Sequence, residues 1–252
     1  MASNTVEESI SSTKGKTLQT RILFRRDTTP EHWSIGLEKP AGFTFKPGQY
    51  VTIGTGGIER PYSIVSAPCE PHIELYIELA PPPLGKLTPL LHARKAGDSL
   101  SIRPSAKGRF TFEPGYANQV MVATVTGIAP FLSMIRDYRA RQASGQRFFI
   151  LDGASYHDEL AYRSELTRLV AAEPQRFAYV PTVSRPQEPR NAAWTGERGS
   201  VNTIVGKYLA QWGLAPQETI VYACGHPGMI EDVKARLSPQ GWKVKEERYW
   251  KD

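Results

Sequence analysis

Hydrophobic and polar residues alternate with a period of two in the first part of this chain. Between residues 72 and 79, Ile73, Leu75 and Ile77 alternate with polar or aromatic residues, which is typical of a strand with one buried face. Gly and Pro separate several short segments of this kind. Strands are predicted at residues 16–26, 32–39, 49–54, 60–66, 72–79 and 99–104. Six strands with turn-rich connections predict a small antiparallel β-barrel.

The pattern changes after Pro114, where apolar strands begin to alternate with amphipathic helices. Strands are predicted at residues 120–124, 147–153, 177–183, 219–224 and 242–249, and helices at 128–139, 160–172, 201–212 and 229–237. This alternation predicts a doubly wound parallel sheet, which binds ligands at the carboxyl ends of its strands. The expected organisation is a flexible N-terminus at 1–15, a barrel domain at 16–115 and an α/β domain at 116–252.

Composition narrows the possible functions. The 252 residues include 31 Lys and Arg against 25 Asp and Glu, a net charge of +6. The basic residues are spread along the chain, which favours an acidic small molecule and an acidic protein partner over nucleic acid. Cys69 and Cys224 form no iron–sulfur spacing and the histidines no metal-ligand spacing, so no metal site is predicted. Without a long apolar run or a signal peptide, we expect a cytoplasmic protein with no membrane insertion.

The most informative motif is Arg60-Pro61-Tyr62-Ser63, on a predicted strand. Residues 60 and 62 of a strand point to one face, and residues 61 and 63 to the other. The guanidinium can grip a phosphate, the phenol ring can stack on a flat ligand, and the hydroxyl can bond a ring nitrogen. A flavin nucleotide has all three features. The alternative is an ordinary edge strand with a surface arginine.

A second candidate is Gly85-Lys86-Leu87-Thr88, followed by Pro89. Thr88 is a good N-cap and Pro89 suits the first helical position, so a short helix is predicted at residues 89–93. Free N–H groups at such a helix start attract anions. With Arg60 nearby in the fold, both could hold one pyrophosphate. The alternative is an ordinary capped helix.

The α/β domain offers a phosphate site at a strand end. Ser184-Arg185 ends one predicted strand, with Arg190 and Arg198 beyond it. A hydroxyl and arginines suit a phosphomonoester such as the 2′-phosphate of NADP. Glu188 keeps open the alternative of an NAD ribose site, and a solvated basic loop is the other interpretation.

Two more segments of this domain join a strand to a helix. In the first, Thr126-Gly127 forms a tight junction, although the glycine-rich dinucleotide fingerprint is absent. In the second, Cys224-Gly225 ends a strand, and the glycine permits a close backbone approach. Cys224 could sit against a nicotinamide ring or could be a buried cysteine with no role. His226 is interpreted as a loop residue.

Together these motifs resemble the ferredoxin–NADP reductase family, and within it the bacterial ferredoxin/flavodoxin reductases. The resemblance spans about residues 16–250. It is carried by the order and spacing of Arg60-Pro61-Tyr62-Ser63, Gly85-Lys86-Leu87-Thr88, Thr126-Gly127-Ile128-Ala129-Pro130-Phe131 and Cys224-Gly225-His226-Pro227-Gly228-Met229, with Val183-Ser184-Arg185 and Tyr249-Trp250 in support. It implies an FAD-binding barrel followed by an NADP-binding α/β domain. The implied enzyme is a monomer that passes hydride between NADP(H) and flavin N5 and exchanges single electrons with an acidic ferredoxin or flavodoxin.

The resemblance also implies a role for each motif. Arg60 would bind the pyrophosphate, Tyr62 would stack on the flavin and Ser63 would bond near N5. Thr126 and Cys224 would flank the nicotinamide, so Ser63, Tyr62 and Cys224 are the candidate catalytic residues. Further FAD contacts are expected from Pro61, Ile77, Glu78, Leu79, Gly85, Lys86, Leu87, Thr88, Tyr249 and Trp250. NADP contacts are expected from Thr126, Gly127, Ser184, Arg185, Arg190, Arg198, Cys224, Gly225, Pro227 and Met229.

The chain departs from the family pattern at three places. Val125 stands where the family commonly has glycine, and Arg198 lies one residue beyond the family's second arginine. Lys251 and Asp252 extend past the aromatic pair, which leaves open whether Tyr249 or Trp250 stacks on a ligand. Alternative functions are the NADH-dependent reductase component of an oxygenase, a free-flavin reductase and an electron-transfer subunit of a larger complex.

Overall fold

The computed structural model of the protein describes residues 17–248. Tyr249 and Trp250, predicted as stacking residues, lie outside the described residues. Within them, the strands of two sheets and five α-helices follow one another in two halves. The first sheet is antiparallel and the second is parallel, so the predicted two-part fold class is confirmed.

The antiparallel half is a barrel. Its strands are β1 (Leu18–Asp27), β2 (His32–Glu38), β3 (Tyr50–Thr55), β4 (Ile58–Ser63), β5 (His72–Glu78) and β6 (Ser99–Ile102). They pair in the order β4-β3-β6-β1-β2-β5. The outer strands meet through a bridge between Ile64 and Leu75, which closes the barrel. Its interior is filled by apolar side chains such as Trp33, Ile53 and Leu75, because alternate residues of each strand point inward.

A five-residue helix, α1 (Thr88–His92), covers one end of the barrel. The prediction of Thr88 as its N-cap is wrong: the cap position is Leu87 and makes no side-chain hydrogen bond. The Thr88 hydroxyl instead donates to the Ala80 carbonyl and accepts from the Ala80 N–H, both at 3.0 Å. Thr88 therefore ties the helix to the segment that follows β5.

The second half is a parallel sheet with helices on both faces. Its strands are β7 (Asn118–Thr124), β8 (Arg147–Ala154), β9 (Phe177–Val183), β10 (Glu197–Arg198), β11 (Thr219–Gly225) and β12 (Lys243–Arg248), in the order β10-β9-β8-β7-β11-β12. Its helices are α2 (Ala129–Ala140), α3 (Arg163–Ala172), α4 (Val201–Gln211) and α5 (Pro227–Leu237). The order reverses at β7, so the switch point of the sheet lies between β7 and β11.

The two halves contact each other through hydrogen bonds as well as apolar packing. Arg136 of α2 donates to the buried Glu74 of β5 at 2.7 Å and binds Glu165 of α3 through both carboxylate oxygens. The Tyr76 hydroxyl of the barrel donates to the Glu159 carbonyl at 3.0 Å. This interface holds the barrel against the edge of the parallel sheet. Among the described residues, no helix is long and apolar enough to span a membrane.

Candidate active site

The turns that follow β7 and β11 lie against each other at the switch point. A Cβ atom on Gly127 would lie 2.1 Å from the Cys224 carbonyl oxygen, and one on Gly225 would lie 2.1 Å from the Thr124 hydroxyl oxygen. Only glycine allows two backbones to approach this closely. The structure thus brings the predicted residues Thr126 and Gly127 next to Cys224 and Gly225.

Val125 occupies the sharpest point of the first turn. Its φ of 46° lies in the left-handed region, where a β-branched residue is strained by about 1–2 kcal/mol. This conformation explains why glycine suits the position. The Val125 side chain is half-buried and packs against the cluster of Ala154, Leu160 and Val183. That packing offsets the strain of the backbone.

His226 was predicted as a loop residue, and in the structure it is the N-cap of a helix. Its Nδ1 accepts a hydrogen bond from the Gly228 N–H at 3.1 Å and so caps α5, which begins at Pro227 rather than at Met229. Its own N–H donates to the Thr124 hydroxyl at 2.7 Å. His226 therefore links the end of β7 to the start of α5. The dipeptide His226-Pro227 at a strand end is the signal that could have identified this cap.

A cleft of about 500 Å³ opens over these turns. This volume falls within the usual range for small-molecule sites. The residues that line it come from the ends of β7, β8, β9 and β11 and the starts of α4 and α5, together with Glu78 of the barrel. They include the predicted Thr126, Ser184, Gly225 and Met229. Cys224 is fully buried in the core cluster beside the cleft, and its predicted contact with a nicotinamide stays a prediction.

The motif Arg60-Pro61-Tyr62-Ser63 lies on β4, and its side chains differ in how far they are buried. Arg60 is exposed and donates to the Glu59 carbonyl, whereas Tyr62 is half-buried and packs against the barrel core. Burial raises the pKa of the Tyr62 phenol, so it stays neutral. Ser63 is buried, and its hydroxyl oxygen has no hydrogen-bond partner within residues 17–248. A buried hydroxyl without a partner costs free energy, and an incoming hydrogen-bonding ligand recovers it.

The Gly85–Thr88 segment follows β5 beside the barrel wall. A Cβ atom on Gly85 would lie 1.7 Å from the Ala80 carbonyl oxygen, so the tight turn requires glycine. Lys86 is exposed and Leu87 is buried in the barrel core. Ile77 is also buried there, and Leu79 is half-buried.

The predicted 2′-phosphate residues are not equivalent. Ser184 lines the cleft, and Arg185 is exposed and donates to the Tyr156 hydroxyl at 3.2 Å. Arg190 instead forms a 2.9 Å ion pair with Asp158 and stacks on the Tyr156 ring at 4.3 Å. The charge of Arg190 is therefore partly compensated by Asp158.

Tyr156 is a contact of these arginines that the sequence motifs did not indicate. It lies between Arg185 and Arg190, each with its guanidinium over the ring. Arg198 lies on the short strand β10 with an exposed side chain. That strand was not predicted, because two residues carry no periodic pattern.

The sequence motifs also did not indicate two carboxyl groups with shielded oxygens, one on the buried Asp152 and one on the half-buried Glu247. Asp152 of β8 is 2% exposed, and burial raises its pKa to about 7, opposed by a hydrogen bond from Tyr179. Glu247 of β12 pairs in register with Cys224, and burial raises its pKa to about 7, opposed by Lys245. Each has one carboxylate oxygen without a partner among residues 17–248. Isolated acidic residues in strands give no sequence signal of this kind.

A closed antiparallel barrel borders a cleft at the switch point of a parallel sheet, which is where doubly wound sheets bind nucleotides. Residues 121–235 match the family model described as an oxidoreductase NAD-binding domain. The chain is 30% identical over 227 residues to ferredoxin–NADP reductase B of Sorangium cellulosum, covering 86% of this chain and 89% of that protein. It is 28% identical over 232 residues to the reductase component of propane 2-monooxygenase from Rhodococcus jostii, covering 89% of this chain and 60% of that protein.

The fold agrees with these matches. A crystal structure of a ferredoxin–NADP⁺ reductase from Neisseria gonorrhoeae, solved with bound FAD and NADP, superposes with a TM-score of 0.80 at 24% identity. The superposition covers 94% of this chain and all of that one. This chain belongs to the ferredoxin–NADP reductase family. It is an NAD(P)H oxidoreductase of that family.

Proposed function

We propose that this protein binds FAD on its barrel, binds NADP(H) at the edge of its parallel sheet, and acts as a ferredoxin or flavodoxin reductase. The observation that carries the proposal is the junction of the Thr126-Gly127 and Cys224-Gly225 turns at the switch point, in a cleft that the barrel borders. Parallel sheets place nucleotides at this point. The relative named ferredoxin–NADP reductase B and the Neisseria gonorrhoeae reductase with bound FAD and NADP support this pair of cofactors.

The barrel residues fit a flavin. The Ser63 hydroxyl is buried without a partner, which suits a hydrogen bond to a ring atom of a bound ligand. Tyr62 presents a neutral ring for stacking, and Arg60 an exposed guanidinium for phosphate. The tight turn at Gly85 presents the exposed Lys86 as a second cation for phosphate. FAD bound there would accept and return a hydride at N5.

The sheet residues orient the nicotinamide nucleotide. Ser184 and Arg185 bind the 2′-phosphate, and Thr126 and the backbone near Cys224 bracket the nicotinamide. The close backbone approach at Gly127 and Gly225 leaves little freedom to this part of the cleft. Such positioning is the main contribution that a protein makes to cofactor chemistry.

The electron carrier is a small acidic protein. The net charge of +6 favours its approach and the formation of the encounter complex. A second candidate function is the reductase component of an oxygenase, since the chain also resembles the reductase component of propane 2-monooxygenase. We propose that the protein is a monomer located in the cytoplasm.

One set of measurements tests the proposal. The purified protein should retain FAD through gel filtration at a monomer volume, and should reduce both ferredoxin and flavodoxin with NADPH preferred over NADH. A colourless preparation that needs added flavin would indicate a free-flavin reductase. A preference for NADH, with no turnover of either carrier, would favour the oxygenase component.

A further inference from the structure

Glu78 is the barrel residue that reaches into the cleft. It ends β5, and its side chain lines the same space as Thr124, Thr126 and His226. About half of the side chain is accessible, at 52%, so the carboxyl group can meet a bound ligand. Among the described residues that line the cleft, the other members all come from the parallel-sheet half.

A buried histidine, His32, lies next to the Glu78 carboxyl group. His32 of β2 is 5% exposed, and its Nδ1 lies 2.9 Å from the Thr29 hydroxyl. Its Nε2 has no hydrogen-bond partner within residues 17–248 and lies 3.9 Å from a Glu78 carboxylate oxygen. Thr29 fixes the ring, so Nε2 stays directed at Glu78. A polar nitrogen buried in this way gains from keeping the carboxyl group nearby.

Charged groups surround the pair on several elements. Glu31, Asp158 and Arg190 face His32, and burial lowers the pKa of His32, which keeps it neutral near pH 7. Glu159 and His226 face Glu78. Burial raises the pKa of the Glu78 carboxyl, opposed by His32 and His226 and reinforced by Glu159. The balance between the carboxyl and carboxylate forms of Glu78 therefore depends on these neighbours as well as on pH.

We propose that Glu78 selects the redox state of the nucleotide, its carboxylate favouring the cationic ring of NADP⁺ over the neutral ring of NADPH. This rests on the proposed function, which places the nicotinamide beside Thr126. A negative charge held at the edge of a half-solvated cleft attracts a ring that carries a positive charge and acts weakly on a neutral one. The same carboxylate stabilises the positive charge that develops on the ring during hydride donation. His32 is the positioning residue of this carboxylate.

Equilibrium binding to the FAD-containing protein tests the proposal without turnover. NADP⁺ and 1,4,5,6-tetrahydro-NADP, an unreactive neutral analogue of NADPH, are titrated by calorimetry into the native protein and into Glu78→Gln. Glu78→Gln should weaken NADP⁺ by roughly three- to tenfold and leave the neutral analogue unchanged, as expected for one lost charge. The control Glu31→Gln removes a charge beside His32 but outside the cleft, and should change neither constant.

The pH dependence separates Glu78 from the histidines. In the native protein the preference for NADP⁺ should fall as pH is lowered, because Glu78 is protonated as pH drops through its raised pKa. In Glu78→Gln, which keeps His32 and His226, the preference should be flat. A persisting pH dependence in Glu78→Gln would assign the effect to the histidines and overturn the proposal.

The positioning role of His32 has its own variants. His32→Gln keeps a polar group towards Glu78 and should retain the native preference for NADP⁺, whereas His32→Phe should lower it towards that of Glu78→Gln. Equal weakening of both ligands by Glu78→Gln would contradict the selection by charge. Failure of the native protein to bind either ligand would instead contradict the proposed function.

Discussion

The two walls of the cleft are built in different ways. On the barrel wall, Ser63 is buried and Tyr62 half-buried, and the tight turn at Gly85 is tied down through Thr88 and Ala80. On the sheet wall, Ser184 and Arg185 are exposed, and Arg185 is held by a hydrogen bond to Tyr156. A site with buried polar groups suits a resident ligand, whereas a rim of exposed charges suits one that enters and leaves. In the proposed function, the barrel wall holds a resident flavin and the sheet wall an exchanging nucleotide.

The junction of the two turns within the sheet wall gives the largest expected effect. Gly127→Ala would place a methyl group 2.1 Å from the Cys224 carbonyl oxygen, so we expect the free energy of unfolding to fall by about 1–3 kcal/mol. Urea denaturation measures this change. Gly206→Ala is the matched control: a Cβ atom there meets nothing within 4 Å, and the helix interior should gain about 0.5–1 kcal/mol. If Gly127→Ala were as stable as the native protein, the two turns would be able to move apart and the close approach would not require glycine.

On the sheet wall, Arg185→Ala should weaken NADPH binding by roughly ten- to a hundredfold, the effect of losing a charge-assisted hydrogen bond to phosphate. NADH binding should stay the same, because it lacks the 2′-phosphate. Dissociation constants for both nucleotides measure the difference. Arg190→Ala is the control and should have a smaller effect, since Asp158 already pairs with that guanidinium. If Arg185→Ala weakened the binding of NADPH and NADH equally, the assignment of Arg185 to the 2′-phosphate would be wrong.

On the barrel wall, Ser63→Ala should slow flavin reduction by NADPH by up to about tenfold, through the loss of one hydrogen bond. FAD should stay bound. The stability of the protein without flavin should be unchanged or slightly higher, because the hydroxyl has no partner there among the described residues. Stopped-flow absorbance and thermal denaturation test the two parts. If Ser63→Ala were reduced at the native rate, or were clearly less stable than the native protein, Ser63 would have a structural role instead.

The smallest expected effect concerns Val125. Val125→Ala loses buried apolar surface and keeps the strained φ of 46°, so it should be destabilised by about 1 kcal/mol. Val125→Gly also loses Cβ, but it relieves the strain of about 1–2 kcal/mol, so it should be at least as stable as the alanine variant. Chemical denaturation of both variants decides the order. If the glycine variant were clearly less stable than the alanine variant, the conclusion that the backbone at Val125 is strained would be wrong.

The amino-acid pattern alone determined both halves of the fold, because strand alternation and the strand–helix succession are local and periodic. It also located the strand ends and the motifs that lie on them, since tight turns favour glycine and helix starts favour proline. It did not find the short strand β10, and it assigned Thr88 a cap that the chain does not use. Both depend on partners far along the chain.

The tertiary structure decided which of these groups meet. Thr126 and Cys224 are about a hundred positions apart, yet the parallel pairing of β7 and β11 brings their turns together. Tyr156 between its arginines, the unpartnered Ser63 hydroxyl and the His32–Glu78 pair appear only once distant strands are packed. Periodicity records which face of an element is buried, but a partner across the fold leaves no trace in the local pattern. The sequence pattern therefore predicts the strands and helices, whereas the arrangement of side chains in the cleft depends on how these elements pack together.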